Sequence, residues 1–314
     1  MKEYRISSQD EGRRMDKYVH HILSEAPASF VYKMIRKKNI VLNDKKAFGN
    51  EILHEGDCIK FYLSDETFNK FTKNASSCDI VHEIPPIVYE DEDIIIVNKP
   101  AGMLSQKSSA DSVSLNEILL SYVNNSKSDD GMISTFTPAV CNRLDRNTSG
   151  LVTFAKTYKG SRCLCAAFAD HRIKKYYNCI VKGVIHKEMD LAGSLTKSEK
   201  INKVRVYNDT GAGKYINTRV YPISSNNELS LLEILLVTGK THQIRAHLAS
   251  VGHPLIGDYK YGDKRLNDEY KRRYGINHQM LVCRKMEFAD DFEIKSVSGR
   301  EFEIELPHEF SEVI

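Results

Sequence analysis

Nothing in this 314-residue chain is apolar for long: runs such as Ile94–Val97 fall far short of the roughly 18 residues that a membrane-spanning helix needs. The first five residues, Met1-Lys-Glu-Tyr-Arg5, lack the apolar core of a secretory signal, so a cytoplasmic protein with no membrane association is expected. Cysteine occurs at 58, 78, 141, 163, 165, 179 and 283, an odd set without the C-x-x-C pairs of zinc ribbons and redox dithiols, and reduced thiols follow. Cys163 and Cys165 fall two apart in an expected helix and so point to different faces, a poor start for a metal. There is no glycine-rich phosphate loop, internal repeat or low-complexity tract. The remaining composition, 41% hydrophobic and 28% charged, is that of a globular protein with room for one catalytic domain and a small appended module.

Net charge is only +3, but it is unevenly spread: Lys33 to Lys46 holds six basic residues against one acid, and Arg143 to Lys182 holds nine against two. A compensating acidic stretch lies at Glu90–Asp93. Two separated basic regions suggest an extended polyanion, RNA, although solvated helix faces would look the same by charge alone.

Residues 1–65 read as a first module. Met15, Tyr18, Val19, Ile22 and Leu23 repeat at helical spacing and stop before Pro27. A second helix is expected from an N-cap at Ser29, burying Phe30, Met34 and Ile35 while Lys33, Arg36 and Lys37 face outward. Ile40–Leu42, a turn at Asn43-Asp44, and Glu55-Gly-Asp57 leading into Cys58–Tyr62 predict short strands. Residues 66–85, polar and ending at Pro85-Pro86, read as a linker. From 86 to 314, strands are predicted at 87–89, 93–97, 151–155, 177–181, 215–223 and 229–237. Without a regular β-helix-β rhythm, an α+β domain with a mixed, mainly antiparallel sheet is expected.

The run Cys141-Asn-Arg-Leu-Asp-Arg-Asn-Thr-Ser-Gly150 sets Asp145 between two arginines, ahead of a turn and an apolar strand. A carboxylate on a loop backed by a sheet is suited to chemistry; Arg143 and Arg146 are expected to favour its charged form. Arg172-Ile-Lys-Lys-Tyr-Tyr opens a strand on which Tyr176 and Tyr177 face opposite sides, so only one can line a given cleft. In Thr238-Gly-Lys-Thr-His-Gln-Ile-Arg245, Ile244 starts an apolar helical stripe and Arg245 points off it, where it could meet a carboxylate. His242 and His247 are five apart, not the i, i+4 of a helical zinc pair, and no metal is expected.

These segments resemble RluA-type pseudouridine synthases, which modify ribosomal and transfer RNA: R-L-D-x-x-T-S-G at 143–150, K-x-Y at Lys175, T-G-K-T-H-Q-I-R from Thr238, His253–Asp258 with Tyr261-Gly262, and Asn98-Lys-Pro-Ala-Gly102. In front, Asp16-Lys-Tyr18, the basic second helix, Ile40–Lys45 and Glu55-Gly-Asp57 resemble the small RNA-binding domain named after ribosomal protein S-four. The resemblance implies Asp145 as nucleophile, Tyr177 as the tyrosine stacked on uracil and Arg245 as the aspartate's partner. It implies substrate contacts from Arg143, Leu144, Thr148, Lys175, Thr241, His242 and Gln243, with Arg143 filling the gap left by a flipped-out base. RNA backbone contacts would fall on Lys33, Arg36, Lys37, Lys38 and Lys45. No cofactor is implied. Many members have histidine where this chain has Asn142, which puts in doubt any RNA positioning that depends on that histidine. Large-subunit ribosomal RNA or its assembly intermediates, met by a monomer, is the expected partner.

Two rivals remain at this level. Asp145-Arg-Asn-Thr148 is similar to the nucleophile loop of aspartyl phosphatases, with Asn147 in place of the second acid. A non-catalytic RNA-binding or ribosome-assembly factor would keep the S-four-like module without the chemistry.

Overall fold

The computed structural model describes residues 1–72, 83–109, 112–125, 136–198, 203–207 and 213–314. Its first unit is a four-stranded sheet in the order β1-β4-β2-β3, formed by β1 (Lys2–Arg5), β2 (Ile40–Leu42), β3 (Lys45–Lys46) and β4 (Cys58–Phe61), with helices α1 (Met15–Ile22) and α2 (Ala28–Arg36). Tyr18, Leu23, Ile35, Ile40, Ile59 and Phe61 fill its core. Asn43 and Asp44 both have positive φ, 49° and 60°, the left-handed pair that a two-residue hairpin demands between β2 and β3.

Three details differ from the expectation. The second helix begins at Ala28 behind an extended Pro27, and Ser29 lies within its first turn without a side-chain cap. The polar segment β1 completes the sheet by pairing with β4. The stretch read as linker opens with a helix, α3 (Asp65–Phe71), capped by Ser64 through Thr67 N (3.3 Å) and burying Phe68 in the module's core. The part of the expected linker from 73 to 82 lies outside the described residues.

The second unit is the expected α+β domain. Among the described residues its eleven-stranded sheet runs β11-β10-β12-β13-β9-β14-β8-β6-β5, with β15 beside β14 and β7 beside β8. In chain order the elements are β5 (Ile87–Glu90), β6 (Ile94–Lys99), α4 (Leu115–Asn125), β7 (Ala139–Val140), β8 (Ser149–Ala155), α5 (Tyr158–Ala169), β9 (Ile173–Lys182), β10 (Met189–Ser198) and β11 (Lys203–Tyr207). They continue with β12 (Lys214–Ser225), β13 (Leu229–Leu236), α6 (Gln243–Ser250), α7 (Lys264–Tyr274), β14 (Leu281–Phe288), β15 (Glu301–Glu303) and α8 (His308–Val313). Recorded strand pairs are antiparallel except β8 with β14. The near-continuous apolar runs of β6 and β8 are buried because the sheet is covered there on both faces. β14 carries Arg284, Lys285 and Glu287 among its apolar residues, and a bulge between Cys283 and Lys285 breaks its alternation, which hides a central strand from a period-two reading.

β8 and β14 meet closely at Gly150, whose φ is +112°; a Cβ there would stand 2.2 Å from the Cys283 carbonyl oxygen and 2.6 Å from its nitrogen. Gly150→Ala should therefore cost roughly 3 kcal/mol or more, since backbone overlap adds to left-handed strain. Urea unfolding checks this, and a loss under about 1 kcal/mol would mean that the two strands separate readily.

Candidate active site

The loop from Cys141 to Thr148 connects β7 to β8 and is fastened at nearly every residue. Asn142 is turned inward: its Oδ1 accepts from Thr153 N (2.7 Å) and Thr153 Oγ1 (3.0 Å). Leu144 is buried and exchanges backbone bonds with the Ser105 hydroxyl (3.1 and 2.9 Å). Thr148 N donates to the Asp145 carbonyl (3.0 Å), and Gln279 Nε2 donates to Thr148 Oγ1 (3.0 Å). The Asn98–Gly102 turn clasps the other side. Lys99, 0% exposed, donates from Nζ to the carbonyls of Pro100 (2.9 Å), Met103 (2.9 Å) and Arg146 (3.2 Å), while Arg146 Nε donates to Gly102 O (3.0 Å). Burial pushes the Lys99 ammonium down to about 8, against the pull of the Asp145 charge. The loop is thus held by groups that leave the Asp145 side chain, 26% exposed, facing outward.

Opposite it stands Arg245 on α6. Its Nη1 donates to Asp145 Oδ2 (2.8 Å), and Nε and Nη2 form a fork onto Asp258 (2.7 and 2.9 Å). Asp258 is itself fixed by the amides of Lys260 (2.8 Å) and Tyr261 (3.1 Å). Burial alone would raise the Asp258 carboxyl, but the hydrogen bonds and charge of Arg245 and these two amides hold it below its usual range. Burial likewise opposes the Arg245 charge and is outweighed by Asp258 and Asp145, which raise its pKa. Tyr261 lies under the guanidinium, 5.3 Å from its ring centroid, and its hydroxyl meets His242 Nδ1 at 2.9 Å.

His242 sits at the N-cap of α6 with a φ of 55°, its Nε2 3.7 Å from Asp145 Oδ2. Burial lowers its pKa and the Asp145 charge opposes this, which leaves a neutral imidazole at neutral pH. The His247 Nδ1 meets Thr218 Oγ1 at 3.0 Å instead. Gln243 sets this geometry: its Oε1 accepts from Thr238 Oγ1 (2.9 Å) and Lys240 N (3.1 Å), and its Nε2 donates to Asn217 O and Thr218 Oγ1 (both 3.0 Å).

The floor comes from β9. Tyr177 is buried across from Cys283 of β14, and burial, then the neighbouring thiol and the Asp145 charge, raise its pKa well above the usual value, so the hydroxyl keeps its proton at neutral pH. Tyr176 faces the other side, donating to Glu287 Oε2 (2.8 Å) beneath Lys285. Lys175, on the Tyr177 side, has its ammonium over the Phe168 ring at 5.2 Å, and burial lowers its pKa.

Asp145, Arg245, His242 and Tyr177 thus converge from three separate segments, with Lys175 on the same face of β9 as Tyr177. Arg143 and Thr241 are exposed at the rim. Leu144, Thr148 and Gln243 are buried, and their hydrogen bonds shape the loops that carry the others. The ion pair with Asp145 is made by Arg245, the partner named from the sequence, while the flanking Arg146 goes to Gly102. Lys99, Asp258 and Tyr261 were given no role by the sequence reading, although all three lie within the motifs it quoted. Lys33, Arg36, Lys37, Lys38 and Lys45 are exposed on the first module.

The family model for RNA pseudouridylate synthase matches residues 93–250. "Ribosomal large subunit pseudouridine synthase C" of Vibrio cholerae is 29% identical over 95% of this chain and 90% of its own length. The protein of the same name from Rickettsia bellii is 30% identical over 90% and 93%. "Ribosomal large subunit pseudouridine synthase D" of Zymomonas mobilis is 32% identical over 71% and 69%. In fold, the chain is similar to human RNA Pseudouridylate Synthase Domain Containing 4 (TM-score 0.54, 18% identity, covering 72% of this chain and 90% of that one). Human RNA Pseudouridylate Synthase Domain Containing 1 gives a TM-score of 0.51 at 19% identity, covering 77% and 96%.

Proposed function

The chain belongs to the RNA pseudouridylate synthase family, isomerases that convert RNA uridine to pseudouridine, and on that premise we propose that Asp145 engages the target uridine and that the target lies in large-subunit ribosomal RNA. The observation that carries the first part is the 2.8 Å contact between Arg245 Nη1 and Asp145 Oδ2, made by a guanidinium already locked onto Asp258. The names of the relatives support the second.

The reaction breaks N1–C1′, turns the uracil and joins C1′ to C5. It needs a nucleophile or charge stabiliser and no redox step. Attack by Asp145 on the ribose, attack on the base, or removal of a ribose proton toward a glycal would all begin from this outward-facing carboxylate. Arg245 aims it. Tyr177, protonated and beneath the cleft, stacks against the uracil and helps move the C5 proton once the new bond has formed. Arg143, exposed beside Asp145, fills the space of the flipped-out base.

Residues 1–72 act as an S-four-type holding domain, with Lys33, Arg36, Lys37, Lys38 and Lys45 on the RNA backbone and residues 86–314 as the catalytic unit. The separate cores of the two units support this division. The protein works as a cytoplasmic monomer on ribosomal RNA or an assembly intermediate. Carbodiimide labelling and primer extension on RNA from cells lacking the gene should show defined stops in large-subunit RNA disappearing. The wild-type gene should restore them and Asp145→Asn should not. Stops lost only from transfer RNA would overturn the target, and restoration by Asp145→Asn would favour a binding factor without chemistry.

A further inference from the structure

The first module carries an arrangement that phosphate binding by lysines does not account for. Phe48 is 75% exposed and Tyr32 48% exposed, and together with Ser29, Lys33, Ile35, Arg36, Lys46 and Ala47 they line a cavity of about 450 Å³. An isolated exposed aromatic is ordinary. Here the Tyr32 ring is tied from behind, and so is the loop that presents Phe48. The Tyr32 hydroxyl donates to Asp16 Oδ2 (2.6 Å), and Arg14 braces that carboxylate with two bonds (3.1 and 2.9 Å). The Glu51 carboxylate accepts from the amides of Phe48 (2.6 Å) and Gly49 (2.7 Å), fixing the loop that presents Phe48. Gly49, at φ +94°, lies against the Tyr32 ring, where a Cβ would meet Cε1 at 3.6 Å. Lys46 sits 5.7 Å from the Phe48 ring centroid, and the charged side chains of the lining, Lys33, Arg36 and Lys46, are all basic.

From this we propose that the cavity between Tyr32 and Phe48 takes one unpaired RNA nucleotide, its base stacked on Phe48 and its phosphate among Lys33, Arg36 and Lys46. Aromatic faces accept any base, and basic side chains around them select for the anion, which is the usual chemistry of single-strand recognition. A protein partner would have to meet three cations with acids; RNA already carries a phosphate at each nucleotide. The proposal deepens the RNA-holding role given above to residues 1–72 and rests on it. It assigns that module a preference for unpaired nucleotides over uninterrupted duplex.

The chain contains no tryptophan, so Phe48→Trp places a single tryptophan, excitable apart from the tyrosines, in the cavity of the full-length protein. Labelled oligouridine and a blunt RNA duplex of the same length serve as probes, with binding followed independently by anisotropy of the label. Emission of Phe48→Trp should fall saturably with oligouridine and stay level with duplex. Phe48→Ala should weaken oligouridine binding roughly 10-fold and leave duplex binding unchanged. Unchanged emission while anisotropy reports a complex, or equal oligouridine affinity in wild type and Phe48→Ala, overturns the stacking site alone. Wild-type protein that binds neither RNA overturns the RNA-holding role with it.

Discussion

Asp145→Asn should lower pseudouridine formation on a substrate RNA by about three orders of magnitude or more, with RNA affinity and unfolding midpoint close to wild type. The replacement is nearly isosteric and lies on a side chain that carries none of the loop's internal bonds. Those run through Asn142, the Leu144 and Arg146 backbones, Thr148 and Lys99. What the amide lacks is the negative charge beside Arg245 and His242. Rate and affinity should therefore separate, which single-turnover kinetics alongside filter binding would reveal. A parallel drop in both would make Asp145 a binding residue, and an active variant would remove it from the chemistry.

Asp258→Ala is expected to be costly in a different currency, destabilising the protein by about 3–5 kcal/mol because it leaves Arg245 buried with half of its partners gone. Activity should fall as well, because the fork that aims Nη1 at Asp145 is lost. The pH dependence carries a sign. The folded Asp258 carboxyl titrates below its ordinary 3.8, so its contribution is present above that value and is lost as pH falls from it through the lower folded one. The Ala variant lacks this component of acid unfolding. Thermal melts between neutral pH and pH 3 measure both effects, and a difference from wild type that stays constant down to pH 3 would show that the carboxylate is not held by Arg245.

Much of this was readable in the sequence because the relevant signals are local. Helical spacing located α1 and α6, alternation and apolar runs located β6, β8, β9, β12 and β13, and the Asn43-Asp44 hairpin announced itself by residue type. The failures share a cause. β1 and β14 are strands because of the neighbours that pair with them, and α3 is short enough that only the seating of Phe68 makes it worth forming. In the site, Arg245 could be picked out as a partner for a carboxylate, but the structural part played by Gln243 could not. Gln243 and Arg245 lie two apart in one motif and both are buried, yet one braces the neighbouring backbone and the other reaches the Asp145 carboxylate. No spacing rule separates them, since the distinction depends on Asp258 and Thr218 arriving from elsewhere.

The position of β14 has a consequence for when the enzyme becomes competent during synthesis. This strand lies between β8 and β9 although both are made long before it. Before β14 is made, no strand joins the β8 side of the sheet, which follows the Asp145 loop, to the β9 side, which carries Tyr177. Sequence-distant pairing of this kind is slow to form and comes late. β14 is thus expected to enter the middle of the sheet late, so a nascent chain already holding Asp145, Tyr177 and Arg245 should stay inactive until that seam has closed.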